Sequence, residues 1–359
     1  MTESIKVRAE HEYQVVFAPA TFLNLQPAIK DASKIAIIVP EDLVHLATSL
    51  EKRLANSINR SIEKVLIIKV PEGENQKNLI SVERCWNALG ENQFRRSDAI
   101  IGLGGGATTD LAGFVAATWL RGVPWAAIPT SLAGMVDAAI GGKTGINTSA
   151  GKNLVGSFYS PKVVIVDHEY LTSLPEPELR SGLAEIIKCG FIADRRILEI
   201  IETSDDFADP KSTSLQELIR RAVQVKAEVV SEDLRENYLR EILNYGHTLA
   251  HAIERRENYT VRHGDAVAIG MAFISALTVQ VGKCSETLRD RHLAILNRAK
   301  LPIKYVQGAW PELLSAMRSD KKATNKGIRF VAVTDDFEVI RLEGVTEAQM
   351  LAAYERISL

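Results

Sequence analysis

The sequence has little cysteine, no excess of charge of one sign and no long apolar run. Its three cysteines, Cys85, Cys189 and Cys284, are odd in number, far apart and in no C-x-x-C pair. This argues against a disulfide framework or a thiolate zinc site and favours free thiols in a reducing compartment. The first residues, M-T-E-S-I-K, lack the apolar segment of a signal peptide. We therefore expect a cytoplasmic protein.

Net charge and hydropathy exclude two further classes of protein. The formal net charge is −2 at pH 7, so we expect neither a nucleic-acid partner nor binding to an acidic membrane surface. The most hydrophobic stretch, residues 266–281, is interrupted by Gly270, Ser275, Thr278 and Gln280. A membrane-spanning helix needs about 20 apolar residues. The stretch is therefore predicted to be a buried core helix.

The length and the hydrophobic pattern predict two domains. A single core rarely extends beyond roughly 250–300 residues, and the chain has 359. Short β-branched runs alternate with helical patterns as far as Leu174, which predicts βαβ units and a mostly parallel sheet. After L-P-E-P at residues 174–177, long helical patterns dominate. We predict an α/β fold with a Rossmann-like dinucleotide-binding domain over residues 1–174 and an all-α metal- and substrate-binding domain over residues 175–359.

The individual elements follow from the same patterns. Strands are predicted at residues 34–39, 65–70, 99–103, 126–129 and 163–166. Helices are predicted at residues 43–54, 79–89, 178–191, 215–231, 240–255, 265–282 and 286–299.

A glycine-rich turn follows the predicted strand at residues 99–103. Residues 102–107, G-L-G-G-G-A, satisfy G-x-G-x-x-A and open a helix at Thr108. Glycines let the backbone approach a pyrophosphate, which the helix N-terminus favours; the alternative is a tight turn without a ligand. The ribose-binding acid expected about 20 residues later is missing near Gly122. Glu74, after an earlier strand, could replace it, so we predict a variant dinucleotide site.

A histidine-containing segment offers metal ligands. At about 100° per residue, a helix over residues 240–255 would place five polar side chains on one face, namely Arg240, Asn244, His247, Thr248 and His251. The spacing would allow His247 and His251 to bind one ion. Two ligands are not enough for a catalytic metal site.

Further ligands lie in other segments. His263 is at the start of the next predicted helix, and Glu185 is on a helix with Lys188 one turn later. Histidines with a carboxylate and one open position are the pattern of catalytic zinc. For any one histidine taken singly, the alternative is a hydrogen-bonded core or surface residue.

Basic residues occur where an anion could bind. Lys143 and Lys152 lie in glycine-rich loops, in which ammonium groups and backbone N–H groups can converge on an anion. Solvated surface is the alternative for most Lys and Arg side chains. It fits Lys188 and Arg240 less well, because they share predicted helix faces with the proposed metal ligands. Further positive charge comes from Arg121, Lys226, Lys321 and Lys322.

Together these motifs resemble the 3-dehydroquinate synthase family of the sugar phosphate cyclase superfamily, over nearly the whole chain. The most specific segment, residues 104–158, contains G-G-G-A-T-T-D, P-T-S-L-A-G-M-V-D-A-A-I-G-G-K-T-G-I-N and G-K-N-L-V-G-S-F. A second part comprises S-G-L-A-E-I-I-K, L-R-E-I-L-N-Y-G-H-T-L-A-H-A-I-E and H-G-D.

The resemblance implies a carbon–oxygen lyase that requires recycled NAD+ and one divalent metal, Zn2+ or Co2+. Its reaction would convert 3-deoxy-D-arabino-heptulosonate 7-phosphate to 3-dehydroquinate and phosphate, in the shikimate pathway. The steps implied are transient oxidation, β-elimination of phosphate, reduction and intramolecular aldol closure. A homodimer is also implied.

The resemblance further implies roles for individual residues. Glu185, His247 and His263 match the metal ligands, whereas His251 matches a catalytic histidine that stays off the metal. This differs from the prediction by spacing. The residues that match other substrate-binding positions are Asp137, Lys188, Lys226, Arg240 and Asn244. Those that match the phosphate pocket are Lys143, Lys152, Asn153, one of Lys321 and Lys322, and Arg121, which a neighbouring subunit would donate. Those that match cofactor-binding positions are Glu74, Lys77, Gly105, Gly106, Asp110, Thr130, Ser131, Lys143, Lys152 and Thr172.

Some motifs depart from the family pattern, and related families remain alternatives. The family more often has G-G-G-V-V-G-D and P-T-T-L-L-A-Q-V-D-S-S, a difference that affects packing on the cofactor side. Iron-dependent alcohol or glycerol dehydrogenases need no phosphate or carboxylate pocket, so the many basic residues argue against them. Sedoheptulose 7-phosphate cyclases act on a substrate without a carboxylate, so Arg240 with Asn244 favours the quinate enzyme. A nucleotide-binding regulator would leave the metal-ligand pattern unexplained.

Overall fold

The computed structural model describes residues 3–55, 62–235, 239–320 and 327–359. The chain divides into two compact units. The first comprises Met1–Leu174 and Lys226–Leu234, and the second comprises Pro175–Val225 and Arg235–Leu359. Among the residues described, every helix is too short or too polar to cross a membrane.

The first unit contains most of the strands. They are β1 (Glu3–Arg8), β2 (Glu12–Phe17), β3 (Lys34–Pro40), β4 (Lys64–Val70), β5 (Ala99–Gly104), β6 (Trp125–Pro129), β7 (Lys143–Thr148), β8 (Gly151–Phe158) and β9 (Val163–Val166). Its helices are α1 (Phe22–Ile29), α2 (Val44–Ala55), α3 (Leu79–Glu91) and α4 (Gly106–Thr118).

The second unit is mainly helical. Its elements are α5 (Glu176–Ile192), α6 (Arg195–Thr203), α8 (His247–Arg256), α9 (His263–Gln280), α10 (Glu286–Arg298), α11 (Trp310–Asp320), α12 (Glu347–Glu355) and the strands β10 (Phe330–Val333) and β11 (Val339–Leu342). Helix α7 (Thr213–Glu232) belongs to the second unit up to Val225 and to the first unit from Lys226 onwards.

A seven-stranded sheet of order β1-β2-β9-β6-β5-β3-β4 forms the centre of the first unit. β1 is antiparallel to β2, and all the other neighbouring strands are parallel. Strands β5, β6 and β9 are buried along their whole length, as expected of parallel strands covered on both faces. The predicted fold class and the mostly parallel sheet are confirmed. Strands β1 and β2 and the hairpin of β7 and β8 were not predicted.

The strand order reverses between β3 and β5. The chain runs from β3 outwards to β4 and then returns to place β5 on the other side of β3. In open parallel sheets, ligands bind at such a switch point, outside the carboxyl ends of the strands. β5 ends at Gly104, directly before α4, and a Cβ on Gly102 would lie 2.7 Å from the Cβ of Ala112 in this helix. Glycine therefore allows the strand and the helix to approach at the switch point.

Helix α9 forms the centre of the second unit. It is buried along most of its length and packs against α5, α8, α10 and α12. A helix that is apolar on all sides needs such an environment, so the predicted buried core helix is confirmed. The helical region also contains the antiparallel pair β10 and β11, which the all-α prediction omitted. β10 is a run of only four apolar residues, which is too short for its periodicity to identify a strand, and Arg341 interrupts β11.

The predicted continuous helix over residues 240–255 is wrong in its first half. Leu239–Asn244 is a 3-10 helix, and α8 begins only at His247. Gly246 between them has a φ of +79°, and a Cβ there would lie 2.9 Å from Cγ of Met271 and 3.0 Å from the carbonyl oxygen of Val267. The close approach to α9 fixes this left-handed turn. Arg240 and Asn244 therefore share no continuous helix face with His247, Thr248 and His251.

Candidate active site

Three helices of the second unit bring a carboxylate and two imidazoles together. Glu185 lies within α5, His247 is the first residue of α8 and His263 is the first residue of α9. One possible ligand atom from each residue lies within 4.8 Å of the others. Oε1 of Glu185 is 3.5 Å from Nε2 of His247 and 3.3 Å from Nε2 of His263. This is the set that the resemblance implied, and its geometry suits one shared ion.

The chemistry of this group also suits a cation. Oε1 of Glu185 is buried and has no hydrogen-bond partner within the described part of the chain. Burial would raise the pKa of Glu185, but Lys188 and the two histidines hold it well below its ordinary value. Partial desolvation would lower the pKa of His263, but the neighbouring carboxylates of Glu185 and Glu254 raise it to about 10. A divalent metal between the three side chains would satisfy the buried carboxylate oxygen.

His251 lies beside this group. Its ring centroid is 5.6 Å from that of His247 and its ring is nearly perpendicular, at 84°, but His251 is not part of the group within 4.8 Å. Nδ1 of His247 is 3.0 Å from the carbonyl oxygen of Tyr245, which directs Nε2 towards Glu185. The prediction by spacing, in which His247 and His251 bind the same ion, is therefore wrong, because the orientation of each ring matters as well as the helix face.

The predicted substrate-binding residues of the second unit are more buried than their charge would suggest. Lys188 donates a hydrogen bond to Oε2 of Glu185, and both side chains are buried. Arg240 is 1% exposed, in the 3-10 helix. Asn244 is half-buried at the end of that helix. Lys and Arg side chains are almost never fully buried unless they are paired, and buried ionisable groups cluster at functional sites.

In the first unit, Lys226 and Asp137 form an ion pair. Nζ of Lys226 lies 2.5 Å from Oδ1 of Asp137. Asp137 belongs to a π-helical turn, Gly134–Ala138, and such turns are rare and often found at functional sites. The structure thus brings together two of the residues that the resemblance assigned to the substrate.

A second charged cluster of the first unit surrounds Lys77. Nζ of Lys77 donates to Oδ2 of Asp110 at 2.6 Å and to Oδ1 of Asn153 at 2.5 Å, and Oε1 of Glu74 lies 3.6 Å away. Burial lowers the pKa of Lys77, but the two carboxylates outweigh it and raise the pKa. Burial raises the pKa of Asp110 to about 6 against the opposing effect of Lys77. Nζ of Lys152 lies 3.9 Å from Oε1 of Glu74.

The glycine turn adjoins this cluster. Gly105 is the N-cap of α4, Gly106 is its first residue and Asp110 lies in its second turn. The N–H of Thr130 donates to the carbonyl of Gly104 at 2.9 Å, and Oγ of Ser131 accepts from the N–H of Gly134 at 3.2 Å. These residues surround the end of β5, where the sheet topology favours ligand binding.

Several predicted residues, including Asn153 of the Lys77 cluster, are on the surface. Arg121 and Lys143 are exposed, and so is Asn153. Arg121 and Asn153 have φ values of +64° and +56°, a conformation that is uncommon outside glycine. The hydroxyl of Thr172 donates to the carbonyl of Glu169 at 2.7 Å. Lys321 and Lys322 lie outside the described residues.

Three neighbours of these sites were missed in the sequence. Glu254 approaches His263, with Oε1 3.4 Å from Nδ1. Asn147 donates to Oε1 of Glu74 at 2.7 Å and accepts from the N–H of Asn153 at 3.0 Å. Tyr245 contacts His247 through its backbone carbonyl, which side-chain patterns do not indicate. Glu254 could have been found, because it is seven residues after His247 and so lies on the same face of α8.

Comparisons with known proteins show which families the chain resembles. The family described as 3-dehydroquinate synthase N-terminal matches residues 67–181, and the one described as 3-dehydroquinate synthase C-terminal matches residues 182–323. The 3-dehydroquinate synthase of Corynebacterium diphtheriae is 49% identical over 358 residues, which cover 99% of each chain. That of Streptomyces avermitilis is 48% identical and covers 96% of this chain and 94% of its own.

Solved structures with a similar fold are more distant in sequence. The 2-epi-5-epi-valiolone synthase of Streptomyces hygroscopicus subsp. jinggangensis, solved with NAD+ and Zn2+ bound, has a TM-score of 0.87, 25% identity and 98% coverage of both chains. A 2-deoxy-scyllo-inosose synthase, solved with carbaglucose-6-phosphate, NAD+ and Co2+, has a TM-score of 0.83, 22% identity and covers 98% of this chain and 99% of its own; at this identity it shows the fold only. By its sequence and its fold, the chain belongs to the 3-dehydroquinate synthase family.

Proposed function

We propose that the chain is a 3-dehydroquinate synthase of the shikimate pathway. It converts 3-deoxy-D-arabino-heptulosonate 7-phosphate to 3-dehydroquinate and phosphate and uses NAD+ and one divalent metal, Zn2+ or Co2+. The observation that carries the proposal is the group of Glu185, His247 and His263, in a chain that is 49% identical to a 3-dehydroquinate synthase over 99% of its length. The related cyclases solved with NAD+ and with Zn2+ or Co2+ support the choice of cofactors.

The metal would be held by Glu185, His247 and His263, and NAD+ by residues around the glycine turn and the Lys77 cluster. When bound, the metal would supply Lewis-acid chemistry at a substrate oxygen, and NAD+ would supply reversible hydride transfer. Residues 1–174 would form the NAD-binding domain, and residues 175–359 the metal- and substrate-binding domain. The residues proposed to bind NAD+ are Glu74, Lys77, Gly105, Gly106, Asp110, Thr130, Ser131, Lys143, Lys152 and Thr172.

The protein's own side chains would orient the anionic substrate and move protons. Arg240, Asn244 and Lys188 would bind its carboxylate and hydroxyls, together with the ion pair of Asp137 and Lys226. Preorganised charges of this kind hold reacting groups in place without reorganisation during the reaction. His251 is exposed beside the metal-ligand candidates, and we assign to it the transfer of protons to and from the substrate. The proposed phosphate ligands are Lys143, Lys152, Asn153, Arg121 and one of Lys321 and Lys322.

The assembly and the compartment are further parts of the proposal. We propose a homodimer in which each subunit donates Arg121, which is exposed, to the phosphate pocket of the other. The three cysteines, all within the described part of the chain, form no disulfide, which supports the cytoplasm as the compartment.

Turnover with three substrates tests the function. 3-Deoxy-D-arabino-heptulosonate 7-phosphate should release one phosphate per product at trace NAD+, without accumulation of NADH. Sedoheptulose 7-phosphate and glycerol should react poorly. NADH that accumulates in proportion to product would instead identify a simple dehydrogenase, and preferred turnover of sedoheptulose 7-phosphate would identify the other cyclase class.

A further inference from the structure

Glu254 is a buried carboxylate for which the proposed reaction has no role. It lies on α8, is 5% exposed and is seven residues after the metal-ligand candidate His247. Its Oε1 is 3.4 Å from Nδ1 of His263, while Nε2 of His263 is 3.3 Å from Oε1 of Glu185. The His263 imidazole therefore lies between two carboxylates and presents one nitrogen to each.

The two imidazoles of the group are oriented in different ways. The ring of His247 is buried, and its Nδ1 contacts the carbonyl of Tyr245 at 3.0 Å. The side chain of His263 is 40% exposed, so packing restricts its ring much less. The backbone next to it is fixed, because the N–H of Gly264 donates to Oγ of Ser181 at 3.0 Å. The orientation of the His263 ring therefore depends on a side-chain partner, and Glu254 is placed to be that partner.

We propose that Glu254 is a positioning residue that orients His263 for metal binding. Its carboxylate accepts the Nδ1–H of His263, which selects the tautomer whose Nε2 lone pair faces Glu185 and the ion. Carboxylate–histidine–metal arrangements fix the ligand ring and increase its basicity, and the loss of the outer carboxylate weakens metal affinity by about 10- to 100-fold. The proposal rests on the metal site of the proposed function and adds a residue that the metal does not touch.

Metal titration without substrate tests the proposal. Metal-free wild type, Glu254→Ala and Glu254→Gln are titrated with Co2+ against a chelator of known affinity, and the visible absorption of bound Co2+ is recorded. Glu254→Ala should bind Co2+ about 10- to 100-fold more weakly, with an altered spectrum. Glu254→Gln should restore part of the affinity, because its amide oxygen still accepts the Nδ1–H bond.

Glu257→Gln is the matched control. Glu257 follows α8 closely, and its carboxylate pairs with Arg256 and Tyr305 rather than with a histidine. This variant should keep the Co2+ affinity and spectrum of the wild type. Unfolding of each metal-free variant in urea separates a loss of stability from a loss of metal affinity. If Glu254→Ala does not fold, the Co2+ affinity and spectrum of Glu254→Gln are compared with those of the wild type instead.

The outcomes separate this proposal from the proposed function. Wild-type affinity and spectrum in both Glu254 variants would overturn the role of Glu254 and leave the metal site intact. Absence of Co2+ binding in the wild type would overturn both. A parallel loss of affinity in Glu257→Gln would show that any charge change near this end of α8 is sufficient, and this too would overturn the specific role of Glu254.

Discussion

At the scale of single residues, Lys77 depends on its neighbours because its side chain is only 4% exposed. Asp110→Ala would remove one carboxylate and leave Glu74 and Asn153 as the polar partners. Breaking a buried pair from one side costs about 3–5 kcal/mol, and the remaining partners should reduce this to about 2 kcal/mol. Urea unfolding measures the change. Asp205→Ala, at a fully exposed partner of Arg298, is the control, and an equal loss there would contradict the prediction.

His292 should make stability depend on pH. It is buried and stacked on Phe191, with Nδ1 2.8 Å from the carbonyl of Leu288 and Nε2 2.7 Å from the hydroxyl of Tyr245. Burial lowers its pKa from 6.5 to about 4. The unfolded chain therefore takes up the proton first as the pH falls. Above pH 6.5 the neutral ring makes its full contribution to the free energy of unfolding. This contribution, about 3 kcal/mol in total, is lost as the pH falls from 6.5 to 4.

The measurement compares wild type with His292→Gln. Free energies of unfolding at several pH values from 7 to 5 should fall more steeply for the wild type than for the variant, because glutamine does not titrate. Other titrating groups are common to both proteins and cancel in the difference. Equal slopes would mean that His292 is already protonated in the folded protein or that its pKa is not lowered.

At the scale of elements, the turn before α8 is the clearest target. Gly246→Ala would combine a φ of +79° with a Cβ about 3 Å from Met271 and Val267. A non-glycine residue in this conformation costs of order 1–3 kcal/mol, and the overlap should add to it. Gly282 has a φ of +68°, and a Cβ added there would meet no atom within 4 Å, so Gly282→Ala carries only the conformational cost.

Urea unfolding of both variants separates the two effects. Gly246→Ala should be destabilised by at least about 1 kcal/mol more than Gly282→Ala, and its Co2+ affinity should fall because His247 is the next residue. Equal stability of the two variants would show that α9 gives way to the extra methyl group and that its approach does not fix the turn.

Strands that are buried on both faces could be predicted from the sequence, whereas the partly exposed β7 and β8 could not. Strands β3, β5, β6 and β9 were predicted because parallel strands buried on both faces are continuous apolar runs. β7 and β8 are rich in Gly, Asn and Thr and are partly exposed, so no such run marks them. The break at Gly246 was missed because the residues before and after it both have helical spacing. A single glycine costs a helix only about 1 kcal/mol, so it does not by itself predict a break.

The site was predictable to the extent that it depends on residue types and motifs. The resemblance selected His263 in place of His251, whereas helical spacing favoured His251. Spacing within one helix gives the direction of a Cβ but says nothing about contacts with other helices. The approach of Glu254 to His263 depends on how the chain turns between α8 and α9, and the orientation of His247 depends on a backbone carbonyl. Helical spacing places Glu254 on the same face as His247 but does not show its approach to His263, and the backbone carbonyl leaves no side-chain pattern in the sequence.

At the scale of the whole molecule, the metal should stabilise the fold. Its three proposed ligands come from three different helices. A ligand that binds only the folded state raises the stability of that state. Chelation should lower the melting temperature and abolish turnover, and Zn2+ or Co2+ should restore both. Full activity in protein shown by elemental analysis to be free of metal would contradict this.

Subunit mixing tests the proposed dimer. Arg121→Ala and Lys143→Ala should each have little activity as separate proteins. If Arg121 acts in the neighbouring subunit, a mixed dimer contains one site with neither substitution, and activity should return towards about one quarter of the wild-type value when exchange is random. Proven exchange without recovery, or a fully active monomer, would count against the dimer.

The division of the chain into two units affects where its gene can be cut and recombined. Residues Lys226–Leu234 belong to the first unit although their neighbours in sequence on both sides belong to the second. A gene cut after the codon for Leu174 would therefore omit part of the first unit, including the buried Val229 and Val230. Recombination between relatives should accordingly be tolerated better when segment 226–234 is inherited together with residues 1–174.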